Sequence, residues 1–190
     1  MHKKLEEYSL TAQSIVPPEL CKAMIKDLNK SKKDWKQHTW HNRKTNDKVN
    51  ISGNKELLNV YLENENSQKI MKITWNVIQG YIKNLNFNWF NTWEGHTQIR
   101  FNIYKKGLRM ADHCDHIGSM FDGNRKGIPI LSVLGVLNDN YEGGEFIMFN
   151  DMKIELKQGD MLVFPSNFLY PHRVEPVMKG TRYSFISWVW

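Results

Sequence analysis

From Trp89 to Trp190 the sequence is cut into short apolar runs by turn-forming residues at close, regular intervals. HTQIRFNIY is followed by KKG, IPILSVLGVL by NDN, GGEFIMF by ND and MKIEL by KQGD, before MLVFP and the closing TRYSFISWVW. Short strands at this cadence predict an all-β sandwich or barrel. Gly143-Gly144 and Gly159-Asp160 supply tight turns.

The first half has a different texture. PPELCKAMIKDLNK (17–30) opens on proline and then spaces Leu20, Met24 and Leu28 as one face of a helix. SQKIMKITWNVIQGYIKNL (67–85) carries a broad apolar stripe and predicts a second helix. Residues 36–55, rich in Asn and Lys, read as loops with a short strand. The expected organisation is one domain over 1–190, mainly β with flanking helices: 1–88 mostly helical support, 89–190 the β core. The 190 residues suffice for one core, and 41% hydrophobic content is that of a folded chain rather than a disordered one.

Charge and cysteine content exclude some functions. The net charge is +6, and nine Lys/Arg face three Asp between Lys22 and Lys48. A solvated helical face explains this, so nucleic acid is not an expected partner. Cys21 and Cys114 are far apart and fit no zinc spacing, which points to free thiols in a reducing compartment. MHKKLEEYSL has no apolar centre for a signal peptide, and no run approaches the ~20 apolar residues of a membrane span. A cytoplasmic protein without membrane attachment is expected.

One hexapeptide, ADHCDH (111–116), concentrates metal-ligand chemistry. On an extended strand His113 and Asp115 emerge on one face while Cys114 points away. Two ligands are too few for a metal, and His172, in FPSNFLYPHRVEP, is the downstream candidate for the third. Two imidazoles and one carboxylate form the facial set associated with non-haem Fe(II), which leaves open positions on the metal. His116 is an alternative to either histidine, although i, i+3 spacing does not suit a strand. His2, His38, His41 and His96 lack partners at useful spacing and read as surface or core residues. Arg182 and Ser184 share a strand face and would cradle a carboxylate. Arg100, Asn102 and Tyr104 alternate with Ile99, Phe101 and Ile103. Such a polar stripe can face water; beside a metal, Tyr104 becomes a second hydrogen-bonding group for an organic acid.

Tyr104-x-x-Gly107, His113-x-Asp115, LND…EGGEFIMF (137–149), QGDMLVFPS (158–166), PHRVEPV (171–177) and GTRYSFISWVW (180–190) follow one another in a known order. Residues 97–190 thereby resemble the prolyl 4-hydroxylase branch of the 2-oxoglutarate/Fe(II) dioxygenases. The resemblance implies a double-stranded β-helix, a jelly roll of the cupin kind. It implies that His113, Asp115 and His172 hold Fe(II) as the catalytic centre. Arg182, Tyr104, Ser184 and Asn102 would form the cofactor-binding set, with Arg182 on the distal carboxylate of 2-oxoglutarate. O2 would be the other co-substrate and ascorbate an auxiliary. The implied reaction hydroxylates a C–H bond, foremost of a prolyl residue in a peptide or protein partner, and releases succinate and CO2. Relatives often have a tyrosine just before Leu-Asn, where Gly135-Val136 stand here, and collagen-type members have lysine where Arg182 stands. Other readings are a lysyl or small-molecule hydroxylase, a non-catalytic barrel, and an AlkB-type dealkylase, whose second arginine on the last strand is missing here. GSMFDGNRKG (118–127) and residues 36–55 are candidate lids.

Overall fold

Proline at its first turn opens helix α1 (Pro18–Lys30), which buries Cys21, Met24 and Leu28. Helix α2 (Glu65–Leu85) starts two residues before the predicted Ser67 because Asn64 caps it. The Asn64 side chain accepts a hydrogen bond from Ser67 N at 2.9 Å, and Ser67 Oγ accepts one from Asn64 N at 3.0 Å. Its buried face is Ile70, Thr74, Val77, Ile78 and Tyr81. No helix among the described residues is long and apolar enough to cross a membrane.

The computed structural model describes residues 3–42, 45, 47–50, 53, 55–88, 90, 93–115 and 129–190. The first half is not only helical. Besides α1 and α2 it holds β1 (Leu10–Ala12), β2 (Lys36–Gln37), β3 (Trp40–Asn42), β4 (Asp47–Val49) and β5 (Leu58–Tyr61). The second half supplies β6 (Arg100–Lys105), β7 (Met110–His113), β8 (Leu131–Val136), β9 (Glu142–Gly143) and β10 (Phe146–Met148). It continues with β11 (Met152–Ile154), β12 (Met161–Pro165), β13 (His172–Val174), β14 (Val177–Lys179) and β15 (Thr181–Val189). Short strands are added to the helices expected in 1–88: β1 pairs with β12 and β5 with β6, so early strands extend the sheet built by the later ones.

Two antiparallel sheets make the jelly roll. One has seven strands in the order β1-β12-β8-β15-β6-β5-β2, the other four in the order β11-β10-β13-β7. The large sheet is covered on both faces, which is why β8 is buried at every position. Successive residues feed different cores, as the two-residue strand period requires. Val133, Met161, Val163, Phe101 and Phe185 join the helices in one cluster. Leu134, Leu162, Phe164, Tyr104 and Ile186 fill the space between the sheets. Gly135 stands where a Cβ would lie 2.2 Å from the Phe185 ring, so only glycine leaves room for the tip of that ring over the strand. Val136, on the next position, is buried in the inter-sheet cluster.

Candidate active site

Antiparallel pairing of β7 with β13 sets His172 directly opposite His113. The two imidazole centroids are 4.3 Å apart. Strand β7 ends at His113, so Asp115 sits just past the strand rather than on it. Its carboxylate nevertheless returns to the same place: Oδ1 is 3.3 Å from His113 Nε2 and 3.6 Å from His172 Nε2. One ligand atom from each of the three lies within 4.8 Å of the others. Cys114 turns away, its thiol donating to the Phe168 carbonyl at 3.6 Å, as expected.

Second contacts fix which imidazole nitrogen faces the cluster. His113 Nδ1 is 2.8 Å from the Ala111 carbonyl and His172 Nδ1 is 3.0 Å from the Tyr170 carbonyl. A carbonyl only accepts, so each Nδ1 carries the proton. In the neutral ring each Nε2 then presents a lone pair toward a carboxylate oxygen. Lone pairs facing one another across 3.3 and 3.6 Å repel unless a cation, either a proton on Nε2 or a metal ion, lies between them. His172 is kept neutral, its pKa pushed down to about 4 by burial and then by His113. Burial opposes ionisation of Asp115, but His172, His113 and the Ser132 hydroxyl outweigh it and hold the carboxyl well below the usual range. The donor set therefore fits a divalent metal.

A cavity runs inward from these ligands. Strand β15 pairs with β6 so that Arg182 faces Tyr104, Ser184 faces Asn102 and Ile186 faces Arg100. The polar stripe predicted on β6 is thus not a solvent face: Asn102 is 5% and Tyr104 3% exposed, and both line the cavity with His113 and His172. Arg182, 2% exposed, donates from Nη1 to Ser184 Oγ at 2.9 Å and lies 5.0 Å from the Tyr104 ring centroid. Its Nε has no hydrogen-bond partner, and no described carboxylate forms an ion pair with the guanidinium. A buried cation left in this state calls for an anion. Burial also raises the Tyr104 pKa, so its phenol keeps its proton and remains a donor. Leu134, Phe146, Val174 and Ile186 supply apolar walls. The charge and donors of this arrangement suit a carboxylic acid, whose carboxylate Arg182 would take.

Several supporting residues escaped the sequence reading. Ser132 Oγ donates to Asp115 Oδ2 at 2.5 Å and stands 2.5 Å from Ser166 Oγ. Since the Ser132 proton is spent on Asp115, Ser166 must donate to Ser132. This leaves Oδ1 as the oxygen facing the histidines. A lone serine within ILSVLGVL was the available signal. Glu56, fully buried, accepts from Ala111 N at 3.1 Å and so braces the strand that carries His113. Phe146 stacks on His172 at 5.3 Å between ring centroids, with Phe164 edge-on at 5.0 Å.

The remaining histidines divide. His96 is bonded to Ser187 Oγ at 2.8 Å on the far face and is structural. His38 is closer to the site than expected: it meets Trp40 edge-on at 5.1 Å, and Trp40 meets His113 at 5.5 Å. His2, His116 and the candidate lid at 118–127 lie outside the described residues. Both cysteines are free, Cys21 buried and Cys114 half-buried.

Known proteins resemble part of this sequence and its architecture. Residues 99–190 match the model of the 2OG-Fe(II) oxygenase superfamily. A PKHD-type hydroxylase of Idiomarina loihiensis is 37% identical over 95 residues, 48% of this chain and 41% of that protein. The matched stretch is thus about two fifths of that relative's length. A prolyl hydroxylase of Trichoplax adhaerens, solved with a peptide fragment of a hypoxia inducible factor, superposes with a TM-score of 0.72 at 18% identity, covering 96% of this chain and 83% of that one. A prolyl-4-hydroxylase of Pseudomonas putida gives 0.69 at 18% identity, covering 95% and 91%. The fold is theirs along nearly the whole chain, flanking helices included.

Proposed function

We propose, from the premise that residues 99–190 carry a 2OG-Fe(II) oxygenase superfamily domain, that the chain is an Fe(II)- and 2-oxoglutarate-dependent dioxygenase. Its substrate is a C–H bond of a prolyl residue in a peptide or protein. One observation carries the reading: three metal-ligand atoms converge, and two of their residues, His113 and His172, line one cavity with a buried guanidinium that has no carboxylate partner among the described residues.

His113, Asp115 and His172 would each give the ferrous ion one atom, a set that keeps positions for keto acid and dioxygen. Arg182 and Ser184 would take the distal carboxylate of 2-oxoglutarate, and Tyr104 would donate a further hydrogen bond. When bound, iron and keto acid would activate O2, the oxidant, one of whose oxygen atoms enters succinate as the keto acid loses CO2 while the other becomes the hydroxyl of the substrate. The protein's part is placement. Backbone carbonyls fix both imidazole tautomers, Ser132 fixes the carboxylate, and the apolar walls exclude water from the charged groups. A prolyl substrate is supported by the prolyl hydroxylase folds and by the hydroxylase relative, and also by a second cleft that opens beside His113 and Asp115.

The test is anaerobic loading with Fe(II), followed by 2-oxoglutarate turnover to succinate on admission of air. It is run with and without a proline-containing peptide, and with a methylated oligonucleotide as a third arm. Turnover lost in Asp115→Ala and stimulated by the peptide is expected. Turnover indifferent to Asp115→Ala refutes the metal assignment, and stimulation by the oligonucleotide alone refutes the substrate.

A further inference from the structure

The second cleft shares Arg100, Met110 and His113 with the inner cavity and runs outward between Trp40 and Trp188 to Lys36, Lys48 and Tyr61. Its charge is one-sided. Lys36, Lys48 and Arg100 line it, and the only carboxylate among its described lining residues is Asp115, which the metal cluster claims. His38 adds no charge at neutral pH, since burial and then Arg100 push its pKa down to about 4. Its buried Nε2 has no partner among the described residues. At the inner end Arg100 is held in place, with Nε donating to Asn102 Oδ1 at 3.1 Å and the guanidinium 4.9 Å from the Trp188 ring centroid. At the outer end Lys36 sits on β2, which ends the large sheet, and Lys48 sits on β4 in the hairpin that carries Trp40.

We propose that this cleft selects an acidic peptide, one with Asp or Glu side chains flanking the residue offered to the metal. The proposal rests on the hydroxylase reading and narrows its substrate. Charge complementarity gives the sign: a fixed guanidinium near the reaction centre and two lysines further out match carboxylates at increasing distance along an extended segment. The edge strand β2 gives such a segment a backbone to run beside. Nucleic acid suits the cleft less well, because base binding needs free aromatic faces. Trp188 is already covered by Arg100 and Trp40 is flanked by His38 and His113, which leaves Tyr61, 50% exposed, as the one open ring among the described lining residues, fewer than successive stacked bases need.

Binding can be read without turnover, on metal-free full-length protein, by fluorescence anisotropy of labelled peptides. Three probes of equal length are used: Pro flanked by Asp and Glu, the same peptide with Asn and Gln, and a single-stranded oligothymidylate. The acidic peptide is expected to bind about tenfold more tightly than its amide twin at low salt, with the gap narrowing in ~0.5 M salt. Lys36→Glu with Lys48→Glu should abolish or invert that preference, and the milder Lys36→Gln with Lys48→Gln should give an intermediate loss. Equal binding of acidic and amide peptides, with turnover stimulated by both, overturns the acidic selectivity while the hydroxylase reading stands. Charge-ranked binding in a protein that turns over no 2-oxoglutarate supports the cleft and sinks the hydroxylase reading. Tighter binding of the oligothymidylate, or free glutamate competing as well as the peptide, overturns the assignment to an acidic peptide.

Discussion

Replacing Arg182 by methionine should make the protein more stable in the absence of 2-oxoglutarate and deaf to its addition. The guanidinium is 2% exposed, with one hydrogen bond to Ser184 and an Nε that has no partner. Desolvating such a cation costs several kcal/mol. The Ser184 bond returns about 1.5–3 kcal/mol and the Tyr104 ring up to about 2 kcal/mol, so the ledger without an anion stays adverse or near balance. Methionine has similar length and no charge, and exchanges of this kind stabilise by about 1–4 kcal/mol. Taking about 2 kcal/mol, a chain of this size should gain roughly 4–8 °C in Tm.

The keto acid should reverse the order. At a hundredfold excess over its Kd, 2-oxoglutarate adds about 2.7 kcal/mol to the native protein. Losing a buried, charge-assisted partner costs about 3–4 kcal/mol of binding, a factor of roughly 10² to 10³ in Kd, so the same concentration leaves Arg182→Met almost unmoved. The assay is thermal unfolding followed by circular dichroism, at equal loading with a redox-inert divalent ion, with and without the keto acid. A variant that is less stable than the native protein without keto acid, or that shifts as far as the native protein with it, refutes the reasoning.

Ser132→Ala removes the hydroxyl that holds Asp115 Oδ2 and should weaken metal affinity by roughly 10- to 100-fold in a chelator competition, with the fold intact by circular dichroism. Tyr104→Phe should raise the Kd for 2-oxoglutarate about three- to tenfold in anaerobic calorimetry and leave metal affinity alone. Acid should destabilise the metal-free protein earlier than ordinary carboxylates would. His38 and His172 have folded-state pKa values near 4 against about 6.5 unfolded, so the unfolded chain takes up their protons first. Stability contributed above pH 6.5 is therefore lost as pH falls from 6.5 toward 4, with a slope approaching ~1.4 kcal/mol per pH unit for each imidazole. Urea midpoints across that range measure it, and the His38→Phe slope should fall by about half.

How much of this was legible in the sequence depends on whether an element is fixed locally or by its partner. The helices and the later strands were, because 3.6- and 2-residue periods and turn residues are local. Strands β1 and β5 were not: Leu10–Ala12 and Leu58–Tyr61 are strands because β12 and β6 offer them edges far away in sequence. The candidate metal ligands were legible as residue types, but the meeting of His113 with His172 is a register, set by β7 pairing with β13. What the sequence could have yielded, and did not, follows from the two-core sheet. In β6, β8 and β15 one alternate set of residues faces the helices and the other faces the space between the sheets. A polar residue in the second set is buried and must be satisfied by function or by a neighbour. Asn102, Ser132, Arg182 and Ser184 all stand there, each buried. Arg182 and Ser184 stand in the motif GTRYSFISWVW and Asn102 in the polar stripe of β6, but Ser132 belongs to neither and was passed over. Periodicity combined with polarity selects it anyway. The argument does not reach Glu56, which precedes β5 and shares the parity of Leu58 and Val60 on the helix side; its place is fixed by a distant partner, the Ala111 N–H of the strand bearing His113.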